Sequence, residues 1–232
     1  SHHHEFWTIG LNRNGADCKL PQSPLPWRTF FPLVDTRLLR PQPRPRRPKF
    51  ATIGQWYWNG SVEVDGEFPD LSKQHAFAPY LDLPVRVPQA RWELAMNLNP
   101  DDPERTRLTN LGWQLTSPHQ AARTPARYRR YLASASAEFT AIKGVDVRWR
   151  TGWVSDRAAA FLASGRPVIT EDTGAAKYLP ARSGMFFIRS AAEAAAAARG
   201  VLDDWETLSR QARECAVEVF DSAKNLRKIL GL

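Results

Sequence analysis

The stretch Gly152–Gly174, GWVSDRAAAFLASGRPVITEDTG, decides the fold. Ser155 is placed to cap a helix by accepting a backbone N–H, and Asp156 follows in the first turn, where a carboxylate suits the positive helix end. Ala158 to Ala163 are helix formers and nearly all apolar, so this helix is expected to be buried on most sides. Gly165 supplies the left-handed residue that ends it. Pro167-Val168-Ile169-Thr170 is a short apolar run, as in a parallel strand covered on both faces. Glu171-Asp172-Thr173-Gly174 then leaves the carboxyl end of that strand, where open α/β sheets hold their ligands. A helix N-terminus beside such a loop offers N–H groups to an anion.

Outward from this unit the pattern repeats. Phe50–Ile53, Trp92–Met96, Trp113–Leu115, Glu138–Ile142 and Met185–Ile188 read as further strands. Helices are expected at 71–80, 101–111 and 125–133, the last capped by Thr124 with Pro125 in its first turn. Three more, at 191–202, 206–219 and 223–230, close the chain. Strands alternating with helices imply a doubly wound, mostly parallel α/β sheet of about six strands with right-handed crossovers. Residues 1–48 contain one possible strand, Glu5–Ile9, and a Gly-, Asn- and Pro-rich loop. They do not make a domain by themselves, so the division expected is 1–48 and 49–232.

Composition narrows the classes. The chain has 232 residues, 43% of them hydrophobic, with 9 Trp and 11 Phe, which is ample for a packed core. No run of about 18 apolar residues indicates a membrane span, and the SHHHEFW start lacks a signal-peptide pattern, so a cytoplasmic location is expected. SHHH reads equally as native sequence or a tag remnant. Cys18 and Cys215 resemble no metal motif and are read as free thiols. The net charge of +8 suits phosphates, nucleic acid or an anionic membrane surface. Much of it lies in Arg37, Arg40, Arg44, Arg46, Arg47 and Lys49, interleaved with Pro41, Pro43, Pro45 and Pro48. Prolines disfavour helix, so this is read as an extended linker rather than a recognition helix, and nucleic acid is not the expected partner.

The order GW-x-SDR, small-residue helix, SGRPV, DTG resembles the C-terminal half of a bacterial GT-B glycosyltransferase, from about Phe50 to the end. The earlier HHEFWTIG, ADCKLP and PW stretches are more loosely similar to it. The resemblance implies a Rossmann-like donor domain that binds a nucleoside diphosphate sugar and transfers the sugar to an acceptor. Residues 1–48 are then the tail of an N-terminal acceptor half plus a Pro/Arg-rich linker.

Several residues are candidates for that site. Lys143, Arg148 and Arg150 follow the 138–142 strand and, with Arg157, are placed to neutralise a diphosphate leaving group; a solvated basic loop is the competing reading. Ser155 is a cap that is also able to meet a phosphate oxygen. Asp156 serves the helix dipole or binds ribose or sugar hydroxyls. Asp172, Thr173 and Gly174 correspond to the loop that touches the sugar, or form a polar turn with Thr173 as a cap. Gly54 and the aromatic loop beginning at Trp56 approach the donor, with Trp56 either stacking on it or covering the core. The Ser155–Arg157 helix start and the Asp172–Gly174 loop are expected to face one crevice. Arg157→Ala is expected to lower nucleotide affinity about tenfold with folding little changed.

The chain also departs from the family pattern. The acidic pair that many retaining members carry, Glu-x7-Glu, falls at Gly152 and Ala160, and the His of the plant-type motif is absent. Stereochemistry and general base are therefore unassigned; His2, His3, His4 and Glu5 are the nearby acid–base groups in the first residues, while His75 and His119 read as ordinary histidines. No Asp-x-Asp or Ser-His-Asp grouping occurs, so neither a metal nor another cofactor is expected. A non-catalytic nucleotide-binding module of the same fold is the alternative.

Overall fold

A computed structural model of the chain describes residues 3–60, 62–64 and 66–231. The chain opens with β1 (Phe6–Thr8) and β2 (Trp27–Thr29), a two-stranded parallel sheet. The main body then runs β3 (Lys49–Gly54), α1 (Lys73–Phe77), α2 (Leu83–Arg86), β4 (Arg91–Met96), α3 (Pro103–Asn110), β5 (Trp113–Thr116), α4 (Pro118–Ala122) and α5 (Pro125–Ser134). It continues through β6 (Ala137–Thr140), α6 (Gly144–Arg148), α7 (Asp156–Ala163), β7 (Val168–Glu171), β8 (Met185–Ile188), α8 (Ala191–Asp203), α9 (Trp205–Cys215) and α10 (Ser222–Leu230).

The six strands of the main sheet are all parallel, in the order β5-β4-β3-β6-β7-β8. Between β3 and β6 the order of winding reverses, the switch point of a doubly wound sheet. The register there sets Phe50 opposite Ala137 and Ala51 opposite Glu138. The expected strand at 138–142 ends at Thr140, and its last two residues leave the sheet toward α6.

Two cores cover the two faces. One is aromatic: Phe50 stacks on Trp92 at 4.7 Å between ring centroids, and Trp113, Phe77 and Phe139 pack edge-on around them. Trp92 and Trp113 each donate their indole N–H to a backbone carbonyl, so burial leaves neither polar edge unpaired. The other core is built on α7, whose alanines, Phe161 and Leu162 are buried against α9 and the strands. Small side chains permit close approach here: a Cβ at Gly184 would lie 2.7 Å from Ala212 of α9.

Helix starts follow their sequence signals. Ser155 Oγ accepts from Ala158 N at 3.0 Å, Thr124 from Arg127 N at 3.2 Å and Ser190 from Glu193 N at 3.2 Å. Gly165 ends α7 with φ +68, as its position after an apolar helix predicts. The helix expected over 206–219 changes at Ala216 into a wider π turn that runs to Phe220.

Residues before β3 lie along the body. Leu11 N and Asn12 N donate to the carbonyls of Gly152 and Thr151, and Val34 N to that of Phe220. The Pro/Arg run is extended, as its prolines require, but its backbone is fastened. Arg166, fully buried, donates to the carbonyls of Gln42 and Pro43 at 3.0 and 3.1 Å, and Arg213 to those of Leu39 and Thr36 at 2.8 and 2.9 Å. Burial, with no carboxylate partner among the described residues, pulls the Arg166 guanidinium down to about 10.

Candidate functional site

The carboxyl ends of β3, β6 and β7 gather charged groups at the switch point. Arg157 lies in the first turn of α7 and turns inward. Its Nη1 donates to the carbonyl of Ile53 at 2.8 Å, at the end of β3. Its Nη2 donates to Thr140 Oγ1 at 3.0 Å, at the end of β6. Its Nε pairs with the carboxylate of Glu138, a side chain with 0% exposure against 16% for Arg157. Desolvation works against the charge on Arg157, but the Glu138 carboxylate outweighs it, and the guanidinium is held above its ordinary range.

Lys73, the first residue of α1, enters the same crevice from the other side. Its Nζ lies 3.4 Å from Thr140 Oγ1 and donates to the carbonyl of Ala141. Burial, and then the nearby Arg157 cation, lower Lys73 to about 7, although Glu138 and Glu171 pull the other way. Glu171 closes the third side: Tyr80 Oη donates to its Oε1 at 2.9 Å and Ile142 N to its Oε2 at 2.7 Å. Burial raises Glu171 despite those hydrogen bonds. Lys143, which precedes α6, sits beside this group with Nζ 3.8 Å from the centroid of the Trp58 ring, a cation–π contact at the mouth of the crevice. Trp58 is exposed.

The other expected site residues are placed differently. Gly54 ends β3 at the crevice, and a Cβ there would meet Met96 Sδ at 3.6 Å and Cε at 3.8 Å, ordinary contacts. Trp56 is fully buried against Phe77, with its indole N–H on Glu104, so of its two readings the structure takes the core cover. Arg148 pairs with Glu67 of the loop after β3. Ser155 caps α7. Asp156 points away from the crevice and lines a groove with Trp7, Thr8 and Phe30.

Arg150 belongs to a second cluster. Its Nε donates to Asp17 at 2.8 Å and its Nη1 lies 3.6 Å from Asp172. Lys177 meets the other oxygen of Asp17 at 2.6 Å, and these two cations with Asn12 hold the Asp17 carboxyl well below its usual range. Asn12, buried, donates to the carbonyl of Arg150 at 2.7 Å and accepts from Tyr178 Oη at 2.9 Å. Arg150 itself has φ +50, a left-handed conformation uncommon outside glycine. Thr173 is buried and donates to the carbonyl of Trp153 at 2.8 Å; no helix starts at it, so it is not a cap. Asp172 Oδ1 accepts from Gly174 N at 2.8 Å, the geometry of a tight polar turn, and Gly174 (φ +87) faces Asn12.

The single crevice expected for Arg150, Arg157 and the 172–174 loop is therefore two clusters. Arg157 is committed inward to Glu138 because that carboxylate is buried and needs a counter-charge. Arg150 is committed to Asp17, contributed by the segment before β3. The sequence reading missed Lys73, Thr140 and the role of Glu171. Polar residues at the ends of two apolar strands were the signal available for Thr140 and Glu171. Lys73 lies in a helix start separated from its strand by a loop of 18 residues, 55–72, whose path no local pattern fixes.

Glu5 pairs with Arg28 at 3.0 Å and with the indole of Trp7, His4 is exposed, and His2 lies outside the described residues. Among the described residues no group of three or more His, Cys, Asp or Glu side chains is arranged to hold a metal ion, and no helix is long and apolar enough to cross a membrane.

No protein-family model matches the chain, and no curated protein matches it by sequence. Solved structures match its fold. Sucrose-phosphate synthase from Thermosynechococcus elongatus superposes with a TM-score of 0.63 at 14% identity, over 95% of this chain and 54% of that one. Anabaena HepE, solved with UDP and glucose, gives 0.57 at 14% identity, over 88% and 56%. The C-terminal domain of the group 1 glycosyl transferase LpcC from Francisella tularensis gives 0.53 at 10% identity, over 80% and 97%. The chain thus spans about half the length of the first two. The fold is that of the GT-B glycosyltransferases.

Proposed function

We propose that this chain is the donor-binding module of a glycosyltransferase, and that it seats the diphosphate of a nucleoside diphosphate sugar in the crevice between β3 and β6. The observation that carries the reading is the pair of cations at the switch point, Lys73 and Arg157, arranged about Thr140. Loss of a sugar from a diphosphate places negative charge on the leaving group, and preorganised cations stabilise that charge. Arg157 has all three guanidinium nitrogens engaged within the chain, so it acts as a fixed positive field. Lys73 has two acceptors among the described residues, which leaves its third ammonium hydrogen for a phosphate, and it is the direct phosphate ligand. Glu171, half-buried beside it, is placed to accept from hydroxyls of the ribose or the sugar.

That Anabaena HepE was solved with UDP and glucose, and the pneumococcal transferase GtfA with UDP and GlcNAc, supports a nucleotide sugar as the ligand of this fold. On this reading residues 1–48 are the end of an acceptor-binding half, and Arg150, Asp172, Thr173 and Gly174 tie that half to the donor half rather than hold the diphosphate. A second reading, a nucleotide-binding module without transfer activity, is favoured by Gly152 and Ala160, which offer no carboxylate where retaining relatives carry an acidic pair. Titration calorimetry with UDP, GDP, ADP and TDP tests the site. Saturable binding of one of them, lost in Lys73→Ala, supports it; binding that Lys73→Ala leaves unchanged removes it.

A further inference from the structure

Much of the chain's excess positive charge lies in two segments that meet away from the Lys73–Arg157 site. Residues 36–50 and 117–135 contain ten Arg and Lys and no Asp or Glu, so the net charge of +8 would be −2 without them. The two segments are far apart in sequence and meet in the fold: Leu38, Arg40, Arg129 and Arg130 line one groove, and Arg130 with Arg127 and Lys49 lines the next. Among the described residues, only Arg37 and Lys49 of the ten have carboxylate partners, Asp35 and Glu93. The remaining eight are arginines without a carboxylate partner among the described residues. Prolines hold the 41–48 run extended, and Arg166 and Arg213 anchor its backbone, so the side chains of Arg40, Arg46 and Arg47 are displayed outward.

We propose that this face docks on an anionic phospholipid surface. An array of guanidinium groups in which Glu93, paired with Lys49, is the one carboxylate lining the two grooves matches a plane of lipid phosphates, each of which arginine engages by its planar fork. Leu38, 64% exposed in the middle of the array, supplies an apolar contact beyond the headgroups. The same face offers single-stranded nucleic acid few rings to stack on: Phe50 and Tyr131 are buried, Tyr128 is half-buried, and His119 is the one exposed ring of the two segments. Ala133, Ser164 and Lys49 place the array toward the amino ends of the strands, so docking leaves the carboxyl-edge crevice open.

Vesicle flotation tests this independently of any nucleotide. The chain is expected to float with vesicles of phosphatidylcholine and phosphatidylglycerol, and to stay behind with phosphatidylcholine alone. Raising salt from about 0.05 M to about 0.5 M releases it. Arg129→Glu/Arg130→Glu, and separately Arg46→Glu/Arg47→Glu, each lower anionic-vesicle binding about tenfold or more with unchanged melting, roughly the loss expected when basic groups near the surface are reversed. Arg182→Glu, an exposed arginine outside the array, leaves it unchanged. Equal flotation with both vesicle types, wild-type flotation of both charge-reversed variants, or binding of homopolymeric RNA with no vesicle binding each overturns the proposal.

Discussion

Lys73 and Arg157, from helices on different sides of the sheet's switch point, converge on one hydroxyl: Arg157 Nη2 is 3.0 Å and Lys73 Nζ 3.4 Å from Thr140 Oγ1. Burial first, and then repulsion by the nearby Arg157 cation, lower Lys73 to about 7. An anion placed between them relieves that repulsion. The arrangement is thus poised to take up negative charge, and the proposed diphosphate seat rests on it.

Nucleotide affinity should therefore depend on pH in a defined direction. Below about pH 7 the free protein already carries the Lys73 charge and affinity is at its plateau. Above that, binding a diphosphate must take up a proton, and affinity falls up to tenfold per pH unit until the lysine of the complex itself deprotonates. Calorimetry at pH 8 in two buffers of different ionisation enthalpy reads the proton uptake directly. Lys73→Met should abolish both the uptake and the slope.

Stability should follow the same residue with the sign worked from protons. Lys73 is lowered from its ordinary 10.5 to about 7 in the folded chain, so between these values the unfolded chain binds more protons. Without ligand, the Lys73 contribution therefore makes stability rise with pH across that window. Comparing urea midpoints of wild type and Lys73→Met from pH 6.5 to 10 checks it: the difference between them should narrow or reverse as pH rises.

Arg157→Ala should be strongly destabilising, contrary to the expectation from sequence that folding would be spared. Glu138 has 0% side-chain exposure, and Arg157 is its only ion-pair partner among the described residues. Removing the guanidinium leaves an unpaired buried carboxylate, a loss of about 3–5 kcal/mol. Arg157→Met combined with Glu138→Leu should recover most of that stability but not the nucleotide affinity. Thermal melting and calorimetry of the single and double variants separate the two effects.

Gly165→Val should destabilise by about 2 kcal/mol or more, because φ is +68 and a β-branched residue resists that conformation. An added Cβ would also lie 2.9 Å from Ser209 Oγ and 3.3 Å from Pro41 Cβ, loosening both α9 and the proline run. A denaturant midpoint equal to wild type would contradict it.

The fold was legible because its signals are local. Ser155, the alanine helix, Gly165 and the Val168–Thr170 run each specify a piece of backbone within a few residues, and the alternation of such pieces implies a parallel sheet. The short helices α2, α4 and α6 and the strand β2 carry no comparable period and were not anticipated. The candidate site was legible only in part. Its arginines were visible as charges near a strand end, but their directions depend on distant partners: Glu138 draws Arg157 inward, and Asp17 takes Arg150. Burial of Trp56 depends on Phe77, and the approach of Lys73 on the path of a long loop, neither of which a strand–helix pattern encodes.

The most direct test of the account is a crystal structure of the chain with the nucleoside diphosphate that binds it most tightly in calorimetry. The account predicts a diphosphate at the ends of β3 and β6, with an oxygen within hydrogen-bond distance of Lys73 Nζ and the Thr140–Arg157 bond retained. A diphosphate seated instead on the Ser155 N-cap and the Asp172–Gly174 turn, with Lys73 still bound only to Thr140 and Ala141, would contradict it.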